Sequence, residues 1–218
     1  MIKLCIFDMD GLLIDSERVY LESALACSEK YSYGLSKELI LSTMGLNLEA
    51  TCKRFIDVMG PSFPMEEFLE NEQVFHEEYL ERYGLEQKKG VKELFAYLDE
   101  KNIRKVIATS TYRETADRYL KMASLEGCFD HIVYGDDLTE SKPLPQIYLK
   151  AMAAFDFKPE EMLAFEDSPN GILSAYNAGL RVIHIPDLAY VAPEIKEKSF
   201  VILEDLSQTI KLLEDLNK

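Results

Sequence analysis

Tryptophan is absent from the 218 residues, histidine occurs three times and cysteine four times. The cysteines (Cys5, Cys27, Cys52 and Cys128) are scattered, with no Cys-x-x-Cys pair. That spacing argues against a disulfide framework and against a structural zinc site. Three histidines are also too few for a histidine-rich metal centre. No apolar run reaches the roughly 18 residues that span a bilayer, so no membrane partner is expected. Met1 to Phe7 is apolar but stops at Asp8, too short for a signal-peptide core, and a cytoplasmic protein is expected. Positive charge is scarce too: 24 Lys and Arg face 39 Asp and Glu, a net charge of −15. Nucleic acid requires a basic face, and the largest basic cluster is Lys88-Lys89, which excludes nucleic-acid binding. A monomer is the expected state.

What is present suits a globular chain able to bury a core, with 47% hydrophobic and 29% charged residues. Lys3 to Phe7 is a short apolar run ending in Asp8-Met9-Asp10-Gly11, the pattern of a buried strand that stops at a turn. Similar runs follow. Arg104 to Ala108 leads into Thr109-Ser110, and His131 to Tyr134 into Gly135-Asp136-Asp137. Met162 to Phe165 leads into Glu166-Asp167, and Arg181 to Ile185 into Pro186-Asp187. Phe200 to Leu203 adds an edge strand. Helical periodicity separates these runs: Val91, Leu94, Phe95 and Leu98 share a face, as do Ala116, Leu120 and Ala123. Ile147, Ala151 and Phe155 form a third face, and Ile172, Ala175 and Tyr176 a fourth. Ser168-Pro169 reads as the N-cap and first turn of the last helix, and Gly179 as its end.

Alternating strands and helices predict an α/β fold, a Rossmann-like parallel sheet core with helices on both faces. Ligands of such sheets sit at the carboxyl ends of the strands. Here those ends carry Asp8, Asp10, Thr109, Ser110, Glu166 and Asp167. Residues 13–87 break the alternation. They show helical patterns, such as Tyr20, Ala24, Cys27 and Tyr31 and a second from Glu66 to Tyr83, but no strand. Gly84 and Gly90 bracket the return. The expected organisation is a core of residues 1–12 and 88–218 with a helical cap domain, 13–87, inserted over the strand ends.

Either aspartate alone reads as a loop or helix cap, but metal and phosphate chemistry accounts for both at once. One carboxylate can attack phosphorus while a second protonates the leaving oxygen and later deprotonates water. The pair also offers hard oxygen ligands for Mg²⁺. Thr109 and Ser110 are ordinary turn residues in isolation, yet hydroxyls at a strand end before a helix can cradle phosphate. Lys142, in Ser141-Lys142-Pro143-Leu144-Pro145, is either a solvated surface lysine or a fixed charge that stabilises developing negative charge. Glu166 and Asp167 repel each other unless exposed or joined by a cation.

Together, Phe7-Asp8-Met9-Asp10-Gly11, Thr109, Lys142-Pro143 and Phe165-Glu166-Asp167-Ser168 resemble the four ordered motifs of the haloacid dehalogenase-like superfamily. The resemblance extends over the whole chain, inserted cap included. Asp8 to Ser16 and Glu166 to Gly171 look like the beta-phosphoglucomutase and sugar-phosphatase branch. The resemblance implies a Mg²⁺-dependent phosphatase acting on a small phosphorylated metabolite, a sugar phosphate being expected. Asp8 would be the nucleophile and Asp10 the general acid/base; Thr109 and Ser110 would bind the phosphoryl group and Lys142 would stabilise it. Mg²⁺ would be held by Asp8, by Asp10 through its backbone carbonyl and by Asp167, with Glu166 as ligand or as support. The cap would close over the site and select the substrate.

Two departures bear on the branch. Its mutases carry a cap histidine where this chain has Tyr20, and an arginine in a Gly-x-x-Arg segment that here reads Gly45-Leu46-Asn47-Leu48. Both changes favour a phosphatase over a phosphoryl-transfer isomerase. A receiver-type phosphoacceptor has no helical insertion of this length after its first strand. A true dehalogenase lacks the second aspartate, and a non-catalytic binding protein has no use for the complete acidic set.

Overall fold

The computed structural model describes residues 1–218. Six strands form one parallel sheet: β1 (Leu4–Phe7), β2 (Arg104–Ala108), β3 (His131–Val133), β4 (Met162–Glu166), β5 (Arg181–His184) and β6 (Val201–Ile202). Their spatial order is β3-β2-β1-β4-β5-β6. Four helices follow β1: α1 (Ser16–Tyr31), α2 (Lys37–Leu41), α3 (Leu48–Met59) and α4 (Met65–Tyr83). Then α5 (Val91–Glu100) leads into β2, and α6 (Arg113–Met122), α7 (Gln146–Ala153), α8 (Pro169–Asn177) and α9 (Pro193–Lys196) link the later strands. The last helix is α10 (Thr209–Leu216). No helix is long and apolar enough to cross a membrane.

β1 is apolar throughout and buried on both faces, as a central parallel strand must be. Its pleat divides the core in two. Leu4 and Ile6 pack toward α7 and α8 (Ile147, Tyr148, Ala151, Ile172), while Cys5 and Phe7 pack toward α5 and α6 (Leu94, Phe95, Leu98, Ala116). β4 alternates in step, Met162 and Ala164 against Leu163 and Phe165. The Phe7 and Phe165 rings therefore stack across the strand pair, 4.6 Å between centroids. Succession along the chain runs outward from β1 through β2 to β3, then crosses back to β4. The carboxyl ends of β1 and β4 thus meet at a topological switch point, where such sheets open a crevice.

The helices after β1 have their own core: Leu21, Ala24 and Cys27 of α1 pack with Ile40, Phe55, Phe63 and Phe68. Rings of Tyr33 and Phe55 meet Phe68 edge-on, each at 5.5 Å. Two chain segments enter and leave this unit side by side. Asp15 N–H donates to Glu86 and Lys88 N–H to Leu13, both at 2.9 Å. Four details differ from the sequence reading, the first being that Tyr31, last in the α1 pattern, is exposed. Tyr176 turns to solvent, because one residue past Ala175 is about 100° round the helix. Phe155 lies past the end of α7, and β6 is shorter than the Phe200–Leu203 run, with Phe200 exposed.

Since Phe7 is fully buried between Phe165 and Phe95, Phe7→Ala should cost about 3–5 kcal/mol of stability. Urea unfolding should show a lower midpoint with an unchanged slope; a loss below about 1 kcal/mol would contradict this packing.

Candidate active site

β1 and β4 are tied at their ends by Asp8 N–H donating to the Phe165 carbonyl at 3.0 Å, which sets Asp8 beside Glu166 and Asp167. Lys142, on the connection from β3 to α7, reaches in from the side. Its Nζ lies 2.5 Å from Asp8 Oδ1 and 2.7 Å from Glu166 Oε1, and its side chain is only 8% exposed. The solvated-lysine alternative is thereby removed. Tyr148 of α7 donates its hydroxyl to Glu166 Oε1 at 2.5 Å. Ser168 caps α8 by accepting the Gly171 N–H at 3.1 Å, and its hydroxyl lies 3.5 Å from Glu166 Oε2. A Cβ at Gly171 would overlap the Glu166 carboxylate, so only glycine admits this close approach.

Burial shapes the charges here. It pushes the Asp8 carboxyl well above the usual range, Lys142 pulling it back and Glu166 and Asp10 adding to the rise. Asp167 is raised by burial and then by the negative charges of Asp8 and Glu166. For Lys142 burial opposes the charge, but Asp8 and Glu166 outweigh it and hold the ammonium above the ordinary lysine range. Three buried carboxylates therefore have one ammonium among them, and it is bound to Asp8 and Glu166 alone.

That imbalance fits a divalent cation. Asp8, Glu166 and Asp167 each offer an oxygen within 4.8 Å of the others, and Asp167 Oδ1 is buried with no hydrogen-bond partner. Gly11, at φ +76°, makes room: a Cβ there would stand 2.5 Å from Asp167 Oδ2. The donors are hard oxygens, as Mg²⁺ and similar ions require. Glu166 already spends its oxygens on Lys142, Tyr148 and Ser168, which leaves Asp8 and Asp167 as the freer donors.

Asp10 has a different setting. Its carboxylate accepts from Ser16 Oγ at 2.8 Å, Thr111 Oγ1 at 2.7 Å and Thr109 Oγ1 at 3.3 Å, outside the acidic triad. Only its backbone carbonyl was expected to reach a metal. Ser110 is not brought in by its side chain, which is exposed and makes no hydrogen bond; its backbone carbonyl packs beneath Gly135. Thr111 takes the place beside Asp10, while its N–H donates to Thr109 Oγ1 at 3.0 Å. Thr111 and Tyr148 escaped the sequence reading. A third hydroxyl in Thr109-Ser110-Thr111 was a visible signal for the first, whereas Tyr148 looked like any core aromatic.

The matched family model, haloacid dehalogenase-like hydrolase, spans residues 5–185. The chain is 32% identical over 182 residues to the phosphorylated carbohydrates phosphatase of Thermotoga maritima, 82% of each chain being covered. It is 29% identical over 216 residues to the pyrophosphatase PpaX of Halalkalibacterium halodurans, covering 99% of this chain and 95% of that one. Its fold matches the beta-phosphoglucomutase of Clostridium difficile with a TM-score of 0.77 at 17% identity, over 100% and 98% of the chains. This chain belongs to the haloacid dehalogenase-like hydrolase family. It is a phosphatase of that family, acting on phosphorylated compounds.

Divalent-ion binding tests the donor set directly. Asp167→Ala should weaken affinity at least about tenfold by calorimetry, and more than Glu166→Ala does. An equal or reversed order would transfer the main ligand role to Glu166.

Proposed function

We propose that the protein is a Mg²⁺-dependent phosphatase that hydrolyses a small phosphorylated metabolite, a sugar phosphate, through an aspartyl-phosphate on Asp8. The observation that carries this reading is the division of labour between the two aspartates. Asp8 lies against Lys142 within the acidic triad, and Asp10 is held by hydroxyls outside it.

Asp8 would attack phosphorus with a carboxylate oxygen as the bond to the leaving oxygen breaks. Asp10, anchored by Ser16 and Thr111, would give that oxygen its proton. Asp10 would next take a proton from water as the water oxygen bonds to phosphorus. The acyl-phosphate bond then breaks, releasing inorganic phosphate and restoring Asp8. Lys142 is already fixed and desolvated, so it can meet developing charge without reorganising. Mg²⁺, held by Asp8 and Asp167 with Glu166 in support, would supply charge neutralisation for the phosphoryl oxygens.

Asp8→Asn should retain the fold and lose turnover; residual activity above about a thousandth, free of wild-type contamination, would exclude Asp8 as nucleophile. Lys142→Ala should lower kcat on the order of a hundred- to a thousand-fold at saturating Mg²⁺. A loss below about threefold would leave Lys142 without a catalytic role.

An isomerase must also grip a second phosphate under the cap, and Lys88, Lys89 and Arg113, the candidates to replace the missing arginine, are engaged elsewhere. Leu48, at the expected arginine position, is 64% exposed. Lys88 pairs with Asp187 and Asp15, Lys89 with Asp205, and Arg113 stacks on Tyr134 beside Asp137. Beta-glucose 1-phosphate with a trace of glucose 1,6-bisphosphate should therefore give net phosphate release, if it reacts, and no stimulation by the bisphosphate. Rapid formation of glucose 6-phosphate with little free phosphate would replace the phosphatase by a mutase.

A further inference from the structure

The cap turns a connected set of polar side chains toward Asp10, and the chemistry described so far uses none of them. On α1, Glu17, Tyr20 and Ser23 recur every third residue and so share one side of the helix. On α4, Glu72 and His76 are one turn apart and face that stripe. Ser23 Oγ donates to Glu72 Oε1 at 2.6 Å, and His76 Nδ1 lies 3.7 Å from the same oxygen. His76 Nε2 is 2.7 Å from the Tyr119 hydroxyl of α6, which joins the cap set to the core. At the other end, Glu17 is partly buried and follows Ser16, whose hydroxyl donates to Asp10 at 2.8 Å. The charge of Asp10 reaches this ring from outside it, acting on Glu17, His76 and Tyr119 alike.

The composition of this ring is its informative property. It contains two carboxyls, three hydroxyls and an imidazole, and no lysine or arginine. The nearby cations are already committed, Arg118 in a two-pronged pair with Glu77 at 2.7 Å, Arg18 with Asp15 at 2.5 Å, and Lys88, whose charge reaches Glu17, with Asp187 and Asp15. Burial pushes both carboxyls up to about 7, with Asp10 and Asp187 adding to the rise at Glu17 and the Ser23 hydroxyl opposing it at Glu72. The Glu72 side chain is 12% exposed, and its one hydrogen bond within the protein is the Ser23 hydroxyl at Oε1. A second anion placed here would meet carboxyls and no countercharge. Hydroxyl groups would find acceptors at the carboxyls and both donors and acceptors at Tyr20, Ser23, His76 and Tyr119.

We infer that Glu17 and Glu72 are specificity-determining residues that select an uncharged, polyhydroxylated leaving group and reject one bearing a second phosphate or carboxylate. This rests on the phosphatase reading, with Asp8 and Asp10 as its reacting groups. It separates the two activities named among the relatives, placing this chain with carbohydrate phosphates and apart from pyrophosphate.

The test measures phosphate release with Mg²⁺ from glycerol 3-phosphate and hexose monophosphates, from pyrophosphate, and from p-nitrophenyl phosphate, whose leaving group has neither extra hydroxyls nor a second acid. The best polyol phosphate should exceed pyrophosphate by at least about a hundredfold in kcat/KM. Glu72→Leu should lower the polyol to p-nitrophenyl ratio at least about tenfold, chiefly through KM, and Glu72→Gln should restore most of it. Glu72→Lys should shift preference toward pyrophosphate by at least about tenfold. Release from p-nitrophenyl phosphate with pyrophosphate equal to the polyols overturns the pocket assignment alone. So does a ratio that Glu72→Leu fails to move in a cooperatively folded variant. No release from any of the compounds overturns the phosphatase reading and the assignment with it.

Discussion

A single ammonium among three buried carboxylates is the constraint around which the rest of the molecule is arranged. Lys142 contacts both Asp8 and Glu166, so two strands and one connection must arrive at a common point. The parallel pairing of β1 with β4 brings the carboxylates together, and the crossover into α7 brings the lysine. Desolvating these charges is costly unless each finds a partner. Tyr148 and Ser168 supply partners to Glu166, while Gly171 and Gly11 remove the atoms that would otherwise obstruct the approach. One oxygen, Asp167 Oδ1, is left over, and with it the negative charge that a divalent cation would neutralise.

Much of this was legible because parallel strands advertise themselves. A strand buried on both faces is a short apolar run, and its first polar residue marks the ligand-binding end. That rule singled out Asp8, Asp10, Thr109, Glu166 and Asp167, which lie together at the ends of β1, β2 and β4, and also Ser110, whose side chain is exposed. Lys142 belongs to no strand; its motif, and not its periodicity, singled it out. The inserted helices were legible as an absence of strand pattern; Tyr20, Ala24 and Cys27 marked the inward side of α1, whereas Tyr31, the last of that pattern, is exposed.

The unread part depends on direction, which one-dimensional patterns do not encode. Thr109, Ser110 and Thr111 all follow β2, and only the path of the backbone turns the first and third toward Asp10 and the second outward. Tyr148 sits on an apolar helix face in any periodicity plot, yet its hydroxyl holds Glu166. Tyr176 erred the opposite way, one residue beyond a buried face. Glu17, Glu72 and His76 share helices with many solvated acids, and nothing local separates them from Glu70 or Glu78. Only the packing of α1 against α4 turns them inward.

The charge of −15 then ceases to conflict with an anionic substrate, because charge is sorted by place. Around the cap, Lys53 is tied to Asp57, Arg18 to Asp15 and Arg118 to Glu77, and such pairs present little net field. Lys142 is bound to two carboxylates of a triad that outnumbers it, where a metal ion would redress the balance. At the strand ends Lys142, with the cation that the carboxylates would hold, is placed to meet a phosphate, and the face above them is acidic and hydroxyl-rich. A substrate entering between the two has one productive orientation, phosphate toward the sheet and its uncharged part toward the cap. A molecule anionic at both ends has none. The acidity that seemed to oppose phosphate chemistry is, on this arrangement, what orients it.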